Sequence, residues 1–413
     1  MDKHIKLSVS ILTLFFFTAC GSSSSTEQTL KGGELLSEFS SSYLKSLIYS
    51  QGVDISDQKV YGYKAYKIPY VTKGKNNEDI NVSGVFSVPS SLTTDEKEKG
   101  LSLVSYGHGT ISLNSSAPSV SLSQSKQPTT AGVVFSALGG FATLEPDYVG
   151  YGDSSSHYHP YLIHEFMSNN SLDFITAVRK FAKNNDIELN EQLFVTGYSE
   201  GGYQSMSTVK KLEEKNIPVT ASAPLAGGYD LDHAGKISLE LISDEYVKSN
   251  RQLYILLTTF SYSNYYDKNI SDMINSPYDK SIKNLLDGTR SFDEIESLLP
   301  RKLYGNDGLF KSDFYNDFKN NENNWLRKAL VLNSVNDWSP NSPMQMVHCQ
   351  GDNQTSYVSA KKTYENLLAN GTNNLVFVTP DISRAMDDKL DHHECYIPSL
   401  RYALIYFKTL QVQ

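Results

Sequence analysis

A serine hydroxyl becomes a useful nucleophile only beside a base, and the base works best when a carboxylate orients it. The stretch Gly197-Tyr198-Ser199-Glu200-Gly201-Gly202 has the residue types for such a serine. It follows an apolar run at 192–196 and opens a helical pattern over 203–212, where Tyr203, Met206, Val209 and Leu212 share one face. A G-x-S-x-G sequence alone is weak evidence; set between a strand and a helix it predicts a sharp turn that lifts the serine Oγ above a sheet. Glycines two before and two after the serine relieve the crowding of that turn. The helix start favours negative charge developing beside the serine.

On a fold that sets its serine in such a strand–turn–helix, the partners follow in the order serine, acid, histidine. Four histidines come after Ser199: His233, His348, His392 and His393. His233 precedes a long insertion and His348 falls inside a strand pattern, which leaves the adjacent pair His392 and His393. Among the carboxylates, Asp352 directly follows the apolar run 344–348, whereas Asp337, Asp381 and Asp391 read as turn residues. An oxyanion needs two backbone N–H donors. Glu200 supplies the one next to the serine. The glycine-flanked loop Tyr106-Gly107-His108-Gly109-Thr110 follows an early strand pattern and offers the second at Thr110.

These residues need a scaffold, and the chain has one. Short apolar runs at 101–105, 141–145, 192–196, 219–225, 344–348 and 374–379 alternate with helical patterns, among them 171–183 with Leu172, Ile175, Val178 and Ala182 on one face. That alternation predicts an α/β fold with a mostly parallel sheet flanked by helices. A hairpin over 60–71 and 80–88 adds an antiparallel front, and 35–49 has helical spacing. Residues 230–338 break the rhythm. They hold several helix-like segments and one strand-like run at 251–258, and read as a helical cap inserted into a core formed by 35–229 and 339–413. Phe260, Tyr262, Tyr265 and Tyr266 are the aromatic candidates for lining a pocket under it, with ordinary packing the favoured reading for any single one.

Composition narrows the classes further. The chain has 413 residues, is 39% hydrophobic and 20% charged, and carries a net charge of −9. That suits a packed globular protein and argues against binding nucleic acid through a broad basic surface. Lys3 and Lys6 precede an apolar stretch from Leu7 to Ala19 that is short for a membrane span. It ends in Phe17-Thr18-Ala19-Cys20-Gly21, which resembles a bacterial lipobox with Phe17 where leucine is usual. Residues 1–19 are therefore expected to be a lipoprotein-type signal peptide. Cys20 would carry a lipid anchor to the cell envelope, at the outer membrane or cell surface, and 20–34 would be a serine-rich tether; an ordinary cleaved signal peptide on a secreted protein is the alternative. Setting Cys20 aside leaves Cys349 and Cys395, a disulfide candidate in an exported chain and otherwise two thiols.

Several segments together resemble the α/β-hydrolases, and more narrowly the bacterial secretory lipase family related to the fungal lipase A type. They are YGHGT at 106–110, EPDYVGYG at 145–152, HPYL at 159–162, GYSEGG at 197–202, DWSPNSP at 337–343, HCQGDNQTSY at 348–357 and DHHECYIPSL at 391–400. The resemblance implies hydrolysis of a small-molecule or lipid carboxylic ester through an acyl-enzyme, with no metal or organic cofactor. Ser199 matches the nucleophile and Asp352 the acid. The family's Asp-His with a cysteine three residues on maps the base onto His392 and places His393 where glycine is usual, so His393 is the alternative base. It also implies a Cys349–Cys395 bridge between the acid and histidine loops. Asn353 to Ser356 depart from the apolar-proline step common after the acid. The EPDYVGYG segment either shapes the site near the oxyanion loop or, the favoured reading, anchors a core turn through Asp147 and Tyr148. A serine peptidase or acyltransferase would use the same triad. A non-catalytic surface lipoprotein on this scaffold is the remaining alternative.

Overall fold

The alternating pattern corresponds to nine strands among the residues that the computed structural model describes, 31–240 and 251–412. The signal segment, Cys20 and most of the tether lie outside them. The strands are β1 (Glu34–Phe39), β2 (Gly62–Lys73), β3 (Asp79–Ser90), β4 (Leu101–Gly107), β5 (Ala142–Pro146), β6 (Leu189–Tyr198), β7 (Ala221–Leu225), β8 (Met344–Val347) and β9 (Leu375–Val378). They form one sheet in the order β1-β2-β3-β5-β4-β6-β7-β8-β9. β1, β2, β3 and β5 pair antiparallel, and from β5 to β9 every neighbour pair is parallel. The mostly parallel sheet with an antiparallel front is as expected.

β6 sits near the centre. Leu193, Phe194 and Val195 are each buried, and successive strand residues point to opposite faces, so both faces of β6 are covered. On one face Phe194 packs on Phe407 of helix Tyr396–Leu410 at 4.8 Å and on Phe141 at 5.4 Å. Helix Glu200–Glu214 buries Tyr203, Met206, Val209 and Leu212 completely. Helix His164–Asn184 packs beside it and reaches β2 through the stacked pair Tyr70 and Phe174.

Two local readings differ. Residues 35–49 divide into β1 and helix Ser41–Ser50, because Ser40 caps the helix by accepting from the Tyr43 amide while Leu36 and Phe39 are buried in the strand before it. The strand-like run 251–258 is the start of helix Arg251–Tyr265. Leu253, Leu256 and Leu257 are buried there at helical spacing, which outweighs the apolar run. Between β7 and β8 the described residues form helices, from Leu231–Glu240 to Trp325–Asn333. Among the described residues no helix is long and apolar enough to cross a membrane.

Candidate active site

Ser199 stands between the end of β6 and the first turn of helix Glu200–Glu214, with φ 60° and ψ −117°. A side chain gains nothing intrinsically from this backbone region, so the turn is held by its surroundings. The packing shows why glycines flank it. A Cβ on Gly197 would lie 2.3 Å from the Gly201 carbonyl oxygen, and one on Gly201 would lie 1.9 Å from the Gly107 carbonyl oxygen. β4 and β6 therefore approach the turn too closely for any larger residue.

Three of the residues singled out from the sequence meet here. His392 Nε2 lies 2.9 Å from Ser199 Oγ, and His392 Nδ1 lies 2.7 Å from Asp352 Oδ2. The His392 ring is buried and the Asp352 carboxylate wholly so. His393 is exposed and turns away, with its Nε2 3.0 Å from Gln354 Nε2. Asp352 also accepts from the amides of Gln354 and Thr355 on Oδ1 and from the Thr355 hydroxyl on Oδ2. Burial works to raise the Asp352 carboxyl, but the bonds and charge of His348 and His392 outweigh it and hold it well below the usual carboxylate range.

The loops carrying Asp352 and His392 are tied together twice. Cys349 and Cys395 form a disulfide with Cα atoms 6.0 Å apart and 46 residues of separation. In the chain-entropy account a closure of that length stabilises by about 4 kcal/mol. The second tie is Asp381, a residue that reads as a turn position in the sequence. It is fully buried, and its carboxylate accepts from the amides of Gln350, Gly351 and Leu390. One carboxylate thus holds the backbone of both loops.

Other side chains that contribute also went unassigned in the sequence. The hydroxyl of Tyr198, the residue before Ser199, donates to the His392 carbonyl. His348 is buried with Nε2 3.4 Å from Asp352 Oδ2, a second histidine on the acid. Its place in a strand pattern hid this, because it falls one residue beyond the end of β8. Glu200 is buried next to Ser199, and its carboxylate lies 2.6 Å from His159 Nε2. The only signals for that pair were their places in GYSEGG and HPYL.

The loop after β4 runs across the serine. The Cβ position of Gly109 is 3.6 Å from Ser199 Cβ. Tyr148 supports the loop from behind, with its hydroxyl 3.0 Å from the His108 carbonyl and 2.5 Å from Gln204 Oε1. Asp147 accepts from the hydroxyls of Ser83 and Ser119 and from the Ser119 amide. The EPDYVGYG segment is thus an anchored turn that also shapes this loop. Thr110 Oγ1 lies 3.3 Å from the Tyr161 hydroxyl.

A cavity of about 370 Å³ opens from Ser199 beneath the helices that follow β7. Its far wall is apolar, with Phe310, Phe314, Phe318, Leu326 and Leu330, while Gln350, Gln354 and Ser356 line the side of the acid loop. The four aromatic candidates do not line it and pack elsewhere, the reading the sequence favours for each. Tyr262 is fully buried and donates to the Leu162 carbonyl, Tyr266 accepts from Asn333, Tyr265 packs edge-on against Phe166, and Phe260 borders a separate small hollow. Helix Arg251–Tyr265 points their side of its surface into packing, and its Tyr254, Ile255 and Thr258 toward the cavity. Among the described residues no group of histidine, cysteine and acidic side chains is arranged to hold a metal ion.

Residues 129–266 match the prolyl oligopeptidase family. That stretch includes the serine turn but neither Asp352 nor His392. No curated protein gives a significant sequence match. Solved structures resemble most of the chain. A candidate hydrolase from Legionella pneumophila is 23% identical with a TM-score of 0.78, covering 93% of this chain and 98% of that one. A ligand-bound form of the rice cell wall degrading esterase LipA from Xanthomonas oryzae is 20% identical with a TM-score of 0.77, covering 92% and 97%. Candida antarctica lipase A in its closed state is 13% identical with a TM-score of 0.59, covering 92% and 83%. At these identities the likeness is one of fold, and the fold is that of the α/β-hydrolases.

Proposed function

We propose that the chain is an exported serine hydrolase that cleaves carboxylic esters through an acyl-enzyme. The observation that carries this reading is the continuous relay from Ser199 Oγ through His392 to Asp352 at 2.9 and 2.7 Å, opening onto a largely apolar cavity. Asp352 accepts the Nδ1 proton of His392 and so leaves the Nε2 lone pair facing Ser199. As Ser199 Oγ attacks the ester carbonyl carbon, His392 takes its proton. The amides of Glu200 and Thr110 are the proposed donors to the oxyanion. His392 then protonates the departing alkoxide, leaving the acyl group on Ser199. Water, deprotonated by the same imidazole, attacks the acyl carbon, and His392 returns that proton to Ser199 Oγ as the acyl–oxygen bond breaks and the acid leaves. These steps draw on no metal or organic cofactor.

The apolar wall suits an acyl chain, and the esterase and lipase among the similar structures favour an ester over other acyl compounds. Export and lipid attachment at Cys20 belong to the same proposal and rest on Lys3, Lys6, the apolar stretch and the Cys20 context. The match of residues 129–266 to the prolyl oligopeptidase family supports a second reading, a serine peptidase on the same relay. A panel of p-nitrophenyl esters of graded acyl length, run beside chromogenic peptide amides, separates the two. Ester turnover that vanishes in Ser199→Ala is expected. Amide cleavage without ester turnover would favour the peptidase.

A further inference from the structure

Glu200 places a carboxylate directly beside the nucleophile, where an unneutralised negative charge would oppose the oxyanion that the reaction must form. Its partner is His159, from the segment that follows β5. His159 Nε2 lies 2.6 Å from Glu200 Oε1, with the Glu200 side chain almost wholly buried and that of His159 nearly so. His159 Nδ1 lies 2.8 Å from the Val149 carbonyl oxygen. A carbonyl only accepts, so Nδ1 carries a proton. A 2.6 Å approach between Nε2 and a carboxylate oxygen also requires a proton between them. The pair therefore holds one more proton than neutral imidazole and carboxylate, whichever atom carries it, and its net charge is zero.

We propose that His159 is a positioning residue for ester hydrolysis: it shares a proton with Glu200, fixes that side chain against the cavity wall and keeps the nucleophile's neighbour electrically neutral. The proposal rests on the reading of the site as a serine esterase. Without the shared proton an imidazole lone pair would face a carboxylate. Glu200 would be pushed toward the cavity as an anion, raising KM for apolar esters, and its field at the oxyanion would lower kcat.

The other titratable groups around the pair cannot take over this role near neutral pH. Tyr148, Tyr151 and Tyr161 pack around the His159 ring, and burial holds their hydroxyls protonated. Tyr254, on the cap side, is pushed up to about 12, chiefly by burial. His108, on the loop after β4, is pushed down by burial. Asp147 is engaged by Ser83 and Ser119.

The test is kcat and KM for a p-nitrophenyl ester from pH 5 to 9 in wild type, His159→Gln, Glu200→Gln and the double variant. A glutamine at 159 can donate to Glu200 but brings no proton to share. His159→Gln is expected to lose about 10- to 100-fold in kcat/KM. The double variant, with no carboxylate left to neutralise, should recover to the level of Glu200→Gln alone. A merely structural His159 would give no such rescue. Wild-type kcat/KM in His159→Gln, or a loss that Glu200→Gln does not rescue, overturns the proposal. Should His159→Gln fail to fold, His159→Asn takes its place in the same cycle; rescue by Glu200→Gln again supports the proposal, and its absence overturns it. A wild-type chain inert to every ester would instead refute the esterase reading itself.

Discussion

At the residue scale, the site turns on which of two adjacent histidines faces Ser199. His392 is buried between Asp352 and the serine hydroxyl, whereas His393 is exposed against Gln354. His392→Ala is therefore expected to lower kcat on an ester by about a thousandfold or more, and His393→Ala to leave it within a few-fold of wild type. The reverse ranking in steady-state kinetics would contradict the assignment. Much of this was legible in the sequence, because a strand, a G-x-S-x-G turn and a helix in succession leave a serine few other places to sit. The resemblance to the secretory lipase family, through the spacing of His392 to Cys395, chose between the two histidines that the residues alone left open. The side chains of Tyr198, Glu200, His159 and His348 were not legible. Their roles depend on partners far away in sequence, which no local pattern encodes.

At the scale of elements, the relay depends on two loops from different strands keeping one distance. The disulfide between Cys349 and Cys395 was open to inference from cysteine number. Asp381 was not, because a buried acceptor for three amides and an exposed turn aspartate look alike in sequence. Asp381→Ala leaves the amides of Gln350, Gly351 and Leu390 without that acceptor. It is expected to destabilise the fold by about 2–4 kcal/mol in urea unfolding, and to reduce ester turnover in the fraction that remains folded. Unchanged stability would mean the loops are held by the disulfide alone. The cap was the least legible element. Ile255, Leu256, Leu257 and Thr258 form an apolar, partly β-branched run, yet the helical spacing of Leu253, Leu256 and Leu257 decided the structure and with it which face meets the cavity.

At the scale of the whole molecule, carboxylates buried in the core give stability a pH dependence of mixed sign. Burial raises Glu145 on β5 from 4.5 to about 7, with the Thr129 hydroxyl opposing the shift. A folded value above the unfolded one means no cost below about pH 4.5, stability falling as pH rises toward 7, and a constant cost above it. Asp352 has the opposite sign, so its contribution is lost in acid. Glu145→Gln keeps an acceptor for Thr129 and removes the buried charge. It should stabilise the fold by up to about 3 kcal/mol at pH 8 and by little at pH 4. An equal change in Tm at both pH values would contradict this. The mostly parallel sheet and the order of the site segments were readable across the whole chain, because strand and helix periodicities alternate throughout. The position of the cavity was not, because it forms where cap helices and acid loop meet. The central claim is that Ser199 is a nucleophile activated by His392. Its most direct test is labelling with a fluorophosphonate probe, the modified residue being mapped by mass spectrometry. Stoichiometric label on Ser199 in wild type, lost in Ser199→Ala and strongly slowed in His392→Ala, is the predicted result. A folded wild-type chain that takes no label, or takes it on another serine, would contradict the account.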